Sequence, residues 1–86
     1  MGAHETTVYV RNLPWHVTND DLGRVFGQFA EVVEARVIQD RETGRSQGYG
    51  FVRLASRDAV SEVRAALDGC QLDGRRLEVR PARESG

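Results

Sequence analysis

Two stretches of this chain alternate side chains of opposite character. Thr6 to Arg11 reads T-T-V-Y-V-R, and Gln47 to Leu54 reads Q-G-Y-G-F-V-R-L. Successive residues of a strand point to opposite faces. Val8 and Val10 therefore share one face of the first strand, and Tyr9 and Arg11 share the other. In the later strand Gly50, Val52 and Leu54 oppose Gln47, Tyr49, Phe51 and Arg53. The aliphatic residues suffice to fill a core. The three aromatics fall on the opposite parity, interleaved with arginine. This pattern requires a sheet covered on one face only, with an aromatic surface left toward solvent. Shielding of that surface by cross-strand pairing under a C-terminal segment is the alternative to a binding role.

The remaining segments supply the cover. Asn12-Leu13-Pro14 ends the first strand in a turn. Thr18 followed by Asp21 approximates a capping box. Leu22, Val25, Phe26 and Phe29 recur at helical spacing and are expected in the core. Asp20 and Asp21 suit the positive end of that helix dipole. Gly23 and Gly27 weaken the helix by about 1 kcal/mol each relative to Ala, which is tolerable where glycine lets a strand approach closely. Val32 to Gln39 is a second strand, with Ala35 and Val37 opposing Glu34, Arg36 and Ile38. Asp40 to Ser46 is a polar loop. Ser56 is expected to cap a second helix with Val60, Val63 and Leu67 on one face and Gly69 as its stop. Leu72-Asp73-Gly74 is a turn. Arg75 to Arg80 is the last strand, with Leu77 and Val79 opposing Arg76, Glu78 and Arg80.

The order is β-α-β-β-α-β. It specifies an α+β, ferredoxin-like sandwich: a four-stranded antiparallel sheet with two helices on one face. Residues 6–82 are expected to form the domain. Residues 1–5 are expected to be a disordered segment or vector remnant. Residues 83–86 are expected to be a frayed tail, with fraying from Ala82.

With 86 residues, 40% of them hydrophobic, the chain has the material for one small core. Its net charge of −1 argues against a polybasic arm or a membrane-surface helix. All 12 basic residues are arginine. Guanidinium stacks on rings and pairs bidentately with phosphate, although GC-rich composition accounts for the bias equally well. Cys70 is the single cysteine, so no intramolecular disulfide forms and no cysteine metal cluster is possible. That fits a reducing, intracellular setting, with Cys70 as a small buried hydrophobe. No apolar run approaches the roughly 20 residues of a membrane span. No nucleophile, base and oxyanion site converge, and no metal-ligand spacing is present. The expectation is therefore no enzyme, no metal and no cofactor. His16 reads as a solvated loop residue. Trp15 reads as a partly buried anchor against the first helix, or as an accessory stacking surface.

Val8-Tyr9-Val10-Arg11-Asn12-Leu13 resembles the shorter ribonucleoprotein signature of the RNA recognition motif, and Gln47 to Leu54 resembles the longer one. The segments D-R-E-T-G-R-S and L-D-G-R-R-L are also similar to family segments, so the resemblance runs from Thr7 to Ala82. It implies single-stranded RNA as partner, with Tyr9 and Phe51 each stacking on a base and Tyr49 against a sugar or between nucleotides. It implies that Gly48 and Gly50 keep the strand thin, Gly50 beneath the first helix. Arg11, Asn12, Arg36, Arg45, Gln47, Arg53, Glu78, Arg80 and Arg83 are the implied polar and electrostatic contacts.

Two positions depart from the family pattern. Gln47 stands where the family places Arg or Lys, which removes one charge-assisted phosphate contact. Arg45 is the partial substitute. Leu54 replaces an aromatic, at an inward parity. Glu34 and Glu78 also lie on the implied RNA face, where they either repel phosphate or accept hydrogen bonds from base amino groups. Two functions remain open. One is RNA binding as a module of an RNA-processing or mRNA-regulating protein. The other is docking of a peptide or partner subunit on the sheet or the helical face. A monomer or weak dimer, away from any membrane, is expected in either case.

Overall fold

Val8, Val10, Val52, Leu54, Leu77 and Val79 are all buried, which turns the aliphatic parity of three strands onto one core. The computed structural model describes residues 6–39, 42 and 46–82. Its elements are β1 (Thr7–Arg11), α1 (Asn19–Gly27), β2 (Val32–Gln39), β3 (Ser46–Leu54), α2 (Asp58–Leu67), β4 (Gln71–Leu72), β5 (Arg75–Arg76) and β6 (Glu78–Pro81). The main sheet has the order β2-β3-β1-β6, antiparallel throughout. The helices cover one face. Leu22 and Phe26 of α1 and Ala59, Val63 and Leu67 of α2 enter the core. Each large apolar side chain buried there contributes about 1.5–3 kcal/mol.

The first helix starts as its sequence predicts. Thr18 Oγ1 accepts from the Asp21 backbone N–H and Asp21 Oδ2 accepts from the Thr18 N–H, both at 3.1 Å. Asn19 Oδ1 accepts from the Val37 N–H at 2.7 Å, which ties the helix start to the edge strand β2. Beyond Gly27 the helix has ended, so Phe29 leaves the helical spacing and is exposed rather than in the core.

The second half departs further from expectation. Arg57, not Ser56, is the N-cap of α2, and no side chain bonds there. Ser56 instead offers its carbonyl to the Ala59 N–H. The last strand is broken at Leu77. Asp73 and Gly74 both have positive φ, +50° and +85°. That is the conformation of a two-residue hairpin turn, and it pairs β4 with β5. Leu77 extends this ladder by bonding to Gly69 and Cys70, and only from Glu78 does the chain join β1. Cys70 is therefore exposed at the hairpin base, donating its thiol to the Ala66 carbonyl, rather than buried. Ala82 is buried and not frayed. Residues 1–5, 83–86 and most of the Asp40–Ser46 loop lie outside the described residues.

Gly50 is a steric requirement, set by the backbone of the neighbouring strand. A Cβ there would sit 2.3 Å from the Arg36 carbonyl oxygen and 3.1 Å from Val37 Cα, on the backbone of β2. Gly23 approaches Ala35 Cβ at an ordinary 3.5 Å, whereas Gly27 faces open space. Gly50→Ala should therefore destabilise the fold by about 1–3 kcal/mol or more. Gly27→Ala should stabilise it by up to about 1 kcal/mol. Urea midpoints of the two variants should move in opposite directions.

Asp68, just past α2, accepts from the Val79 N–H at 2.9 Å and from Arg80 Nη1 at 3.1 Å. The Val79 N–H, then the Arg80 charge, hold its carboxyl below the ordinary 3.8. A depressed carboxylate stabilises the fold above its unfolded pKa and loses that contribution as pH falls through the folded value. Urea stability should accordingly decline below about pH 4. Asp68→Asn should flatten that decline relative to the parent chain.

Candidate nucleic-acid interface

The outward face of the main sheet is ordered in cross-strand rows. β1 pairs with β3 so that Tyr9 opposes Phe51 and Arg11 opposes Tyr49. On the other side of β1, Tyr9 opposes Arg80 and Arg11 opposes Glu78. On the far side of β3, Phe51 opposes Arg36 and Arg53 opposes Glu34. The middle row therefore reads Arg36, Phe51, Tyr9, Arg80 across four strands. The next row carries Tyr49, Arg11 and Glu78. A register shift in β2 between Val32 and Glu34 leaves Val33 exposed and keeps Ala35 opposite Val52 on the core side.

All three aromatics turn away from the core. Tyr9 and Tyr49 are 41% and 44% exposed, and Phe51 between them is half-buried. Neighbouring strands lie about 4.8 Å apart, so Tyr9 and Phe51, opposed in register, stand side by side on this face. Gly48 contributes backbone geometry rather than thinness. Its φ is +85°, its carbonyl accepts from the Leu13 N–H, and the nearest atom to a Cβ there would be 4.0 Å away.

Most described cations on this face already have carboxylate partners. Glu34 accepts from Arg36 Nε at 2.8 Å and lies 3.4 Å from Arg53 Nη2. Its carboxyl is held below the ordinary range by that Arg36 hydrogen bond. The Arg53 Nε atom is itself buried without an acceptor among the described residues. Arg80 is bound to Asp68. Exposed pairs of this kind contribute little to stability. They do fix guanidinium positions and reduce the positive field available to a phosphate.

Asn12 is a structural residue as well as a candidate contact. Its φ of +65° is tolerated by Asn, and its amide joins β1 to the small hairpin. Nδ2 donates to the Arg76 carbonyl at 2.8 Å, and Oδ1 accepts from Arg75 Nη2 at 2.8 Å. Arg75 is thereby brought to the end of the aromatic face, where Arg11, Asn12, Gly48, Tyr49, Arg75 and Glu78 line a concavity of about 500 Å³. Strand alternation placed Arg75 on the inward parity and missed it. The Asp73-Gly74 dipeptide, a hairpin signal, was the feature that could have found it.

Two loop expectations change. Trp15 is 70% exposed and meets the His16 ring edge-on at 5.8 Å, so it is not a buried anchor. His16 is solvated but bound, with Nε2 2.6 Å from Asp73 Oδ2. Arg45 and Arg83 lie outside the described residues, as does the side chain of Gln47.

Comparison with known proteins fits this arrangement. A 28 kDa chloroplastic ribonucleoprotein of Spinacia oleracea is 52% identical over 77 residues, covering 90% of this chain and 33% of that protein. The crystal structure of RNA binding protein PG1 has a TM-score of 0.83 at 39% identity, covering 87% of this chain and 90% of that one. An Sxl-lethal protein/RNA complex has a TM-score of 0.84 at 34% identity, covering 92% and 48% respectively. The chain spans a third or less of the length of the plant ribonucleoproteins it matches. The RNA recognition motif matches residues 8–78, most of the sequence and every element from β1 to the start of β6, and the chain belongs to that family.

Proposed function

We propose that this domain binds single-stranded RNA on the outward face of its main sheet, as one module of an RNA-processing or mRNA-regulating protein. The observation that carries the reading is the middle row, in which Tyr9 and Phe51 are directly opposed and flanked by Arg36 and Arg80. Two adjacent aromatic rings with cations at both ends suit two unstacked bases and the backbone between them. Tyr49 meets a sugar or wedges between nucleotides. Arg11, Arg45, Gln47, Arg53 and Arg83 supply polar contacts around the platform, and Trp15 adds an accessory ring. Neither a catalytic step nor a cofactor enters this reading. The setting is intracellular, in keeping with the plant relatives named as chloroplastic.

A peptide or partner subunit docking on the sheet or helical face is the competing function. The row of aromatics between arginines favours RNA, because each ring is placed for stacking while carboxylates hold the flanking cations.

Each aromatic–base stack is worth about 1–3 kcal/mol. Tyr9→Ala or Phe51→Ala should thus weaken binding to short single-stranded RNAs at least about fivefold. Fluorescence anisotropy measures this directly, and unchanged affinity would sink the platform reading. Salt dependence gives a second check. With Arg36, Arg53 and Arg80 engaged by carboxylates, few counterions are released, and the slope of log K against log salt should be shallower than about −2.

A further inference from the structure

The concavity at the end of the aromatic face differs in chemistry from the rest of that face. Arg11 and Glu78 are direct cross-strand partners between β1 and β6. Among the described residues, neither takes part in an ion pair. Elsewhere on the sheet Arg36, Arg53 and Arg80 are all engaged by carboxylates. The concavity thus presents an open carboxylate and an open guanidinium side by side, bordered by the exposed ring of Tyr49. Its far wall is already fixed, since Asn12 holds Arg75 and the Arg76 carbonyl. Such preorganisation lowers the ordering cost of binding.

A phosphate is a poor occupant, because Glu78 would repel it. A nucleobase that offers two adjacent donors to a carboxylate and two acceptors to a guanidinium is a good one. Guanine has this pattern: N1–H and the N2 amino group lie side by side, with O6 and N7 around the adjacent corner. Uracil sets one N–H between two carbonyls, and the Watson–Crick edges of adenine and cytosine set one amino group beside acceptors. A carboxylate facing those edges meets lone pairs.

We propose that this concavity is a guanine-selective subsite. Glu78 accepts from guanine N1–H and N2–H, and Arg11 donates to O6 and N7. Tyr49 borders the base, and Arg75 closes the outer wall. This inference rests on RNA binding by the sheet, and it supplies the base selectivity that sequence-tolerant stacking on Tyr9 and Phe51 does not.

The test uses uridine hexamers carrying one central guanosine, inosine, 7-deazaguanosine or adenosine, titrated against the whole chain by fluorescence anisotropy. Guanosine should bind at least about fivefold more tightly than adenosine, the low end for one bidentate contact. Inosine, which lacks the N2 amino group, and 7-deazaguanosine, which lacks N7, should each lose part of that preference. Glu78→Gln should abolish the guanosine-over-inosine difference. Arg11→Gln should abolish the guanosine-over-7-deazaguanosine difference. If the four RNAs bind equally, or if Glu78→Gln leaves their ranking unchanged while Tyr9→Ala still weakens all of them, the subsite is wrong and the platform stands. If none of the RNAs binds, both readings fall.

Discussion

β1 lies between β3 and β6, and its register with β3 puts Val8 opposite Val52 and Tyr9 opposite Phe51. Everything else on the sheet follows from that alignment. A slip of one residue would send the valines to solvent and the aromatics into the core, so the buried face and the open face specify each other. Gly50 extends the constraint to β2. With the Arg36 carbonyl 2.3 Å from where a Cβ would stand, only glycine lets β2 close against β3 and bring Arg36 into line with Phe51. The packing of the edge strand and the layout of the aromatic row therefore share one small residue.

Charge is arranged around this platform with restraint. The chain is nearly neutral, and the described arginines flanking the aromatics are held by Glu34 and Asp68. Asp68 also caps the Val79 N–H, so one carboxylate both anchors β6 to the end of α2 and positions Arg80. A surface built this way holds its cations in place instead of projecting a strong positive field. Its selectivity then depends on shape and hydrogen-bond pattern more than on attraction to phosphate. Arg11 and Glu78, which form no ion pair among the described residues, mark where that pattern departs from the rest of the face.

Much of this was legible in the sequence. The alternation of Val8-Tyr9-Val10-Arg11 and of Gly50-Phe51-Val52-Arg53 assigned both faces, and Thr18 with Asp21 marked the first helix start. Phe29, Ser56 and Cys70 were misread for related reasons. Helical spacing says nothing of where the helix stops, and Gly27 ends it before Phe29. A serine near a helix start is a cap only if its side chain reaches a backbone N–H, and here Arg57 takes the position. Residue type alone favours burial of Cys70, but the hairpin that follows carries it to the surface.

By itself the sequence determined the order of the main elements, the faces of the residues in β1 and β3, and membership of the aromatics in one surface. These depend on backbone alternation and local hydrogen bonding, which are properties of neighbours along the chain. The tertiary structure alone decided which charges pair, that Asn12 latches the hairpin, and that Arg75 and Glu78 line one concavity with Tyr49. Those outcomes depend on register and on a strand broken at Leu77, which bring together residues more than 60 positions apart (Asn12 and Arg75). Local periodicity carries no information about that encounter.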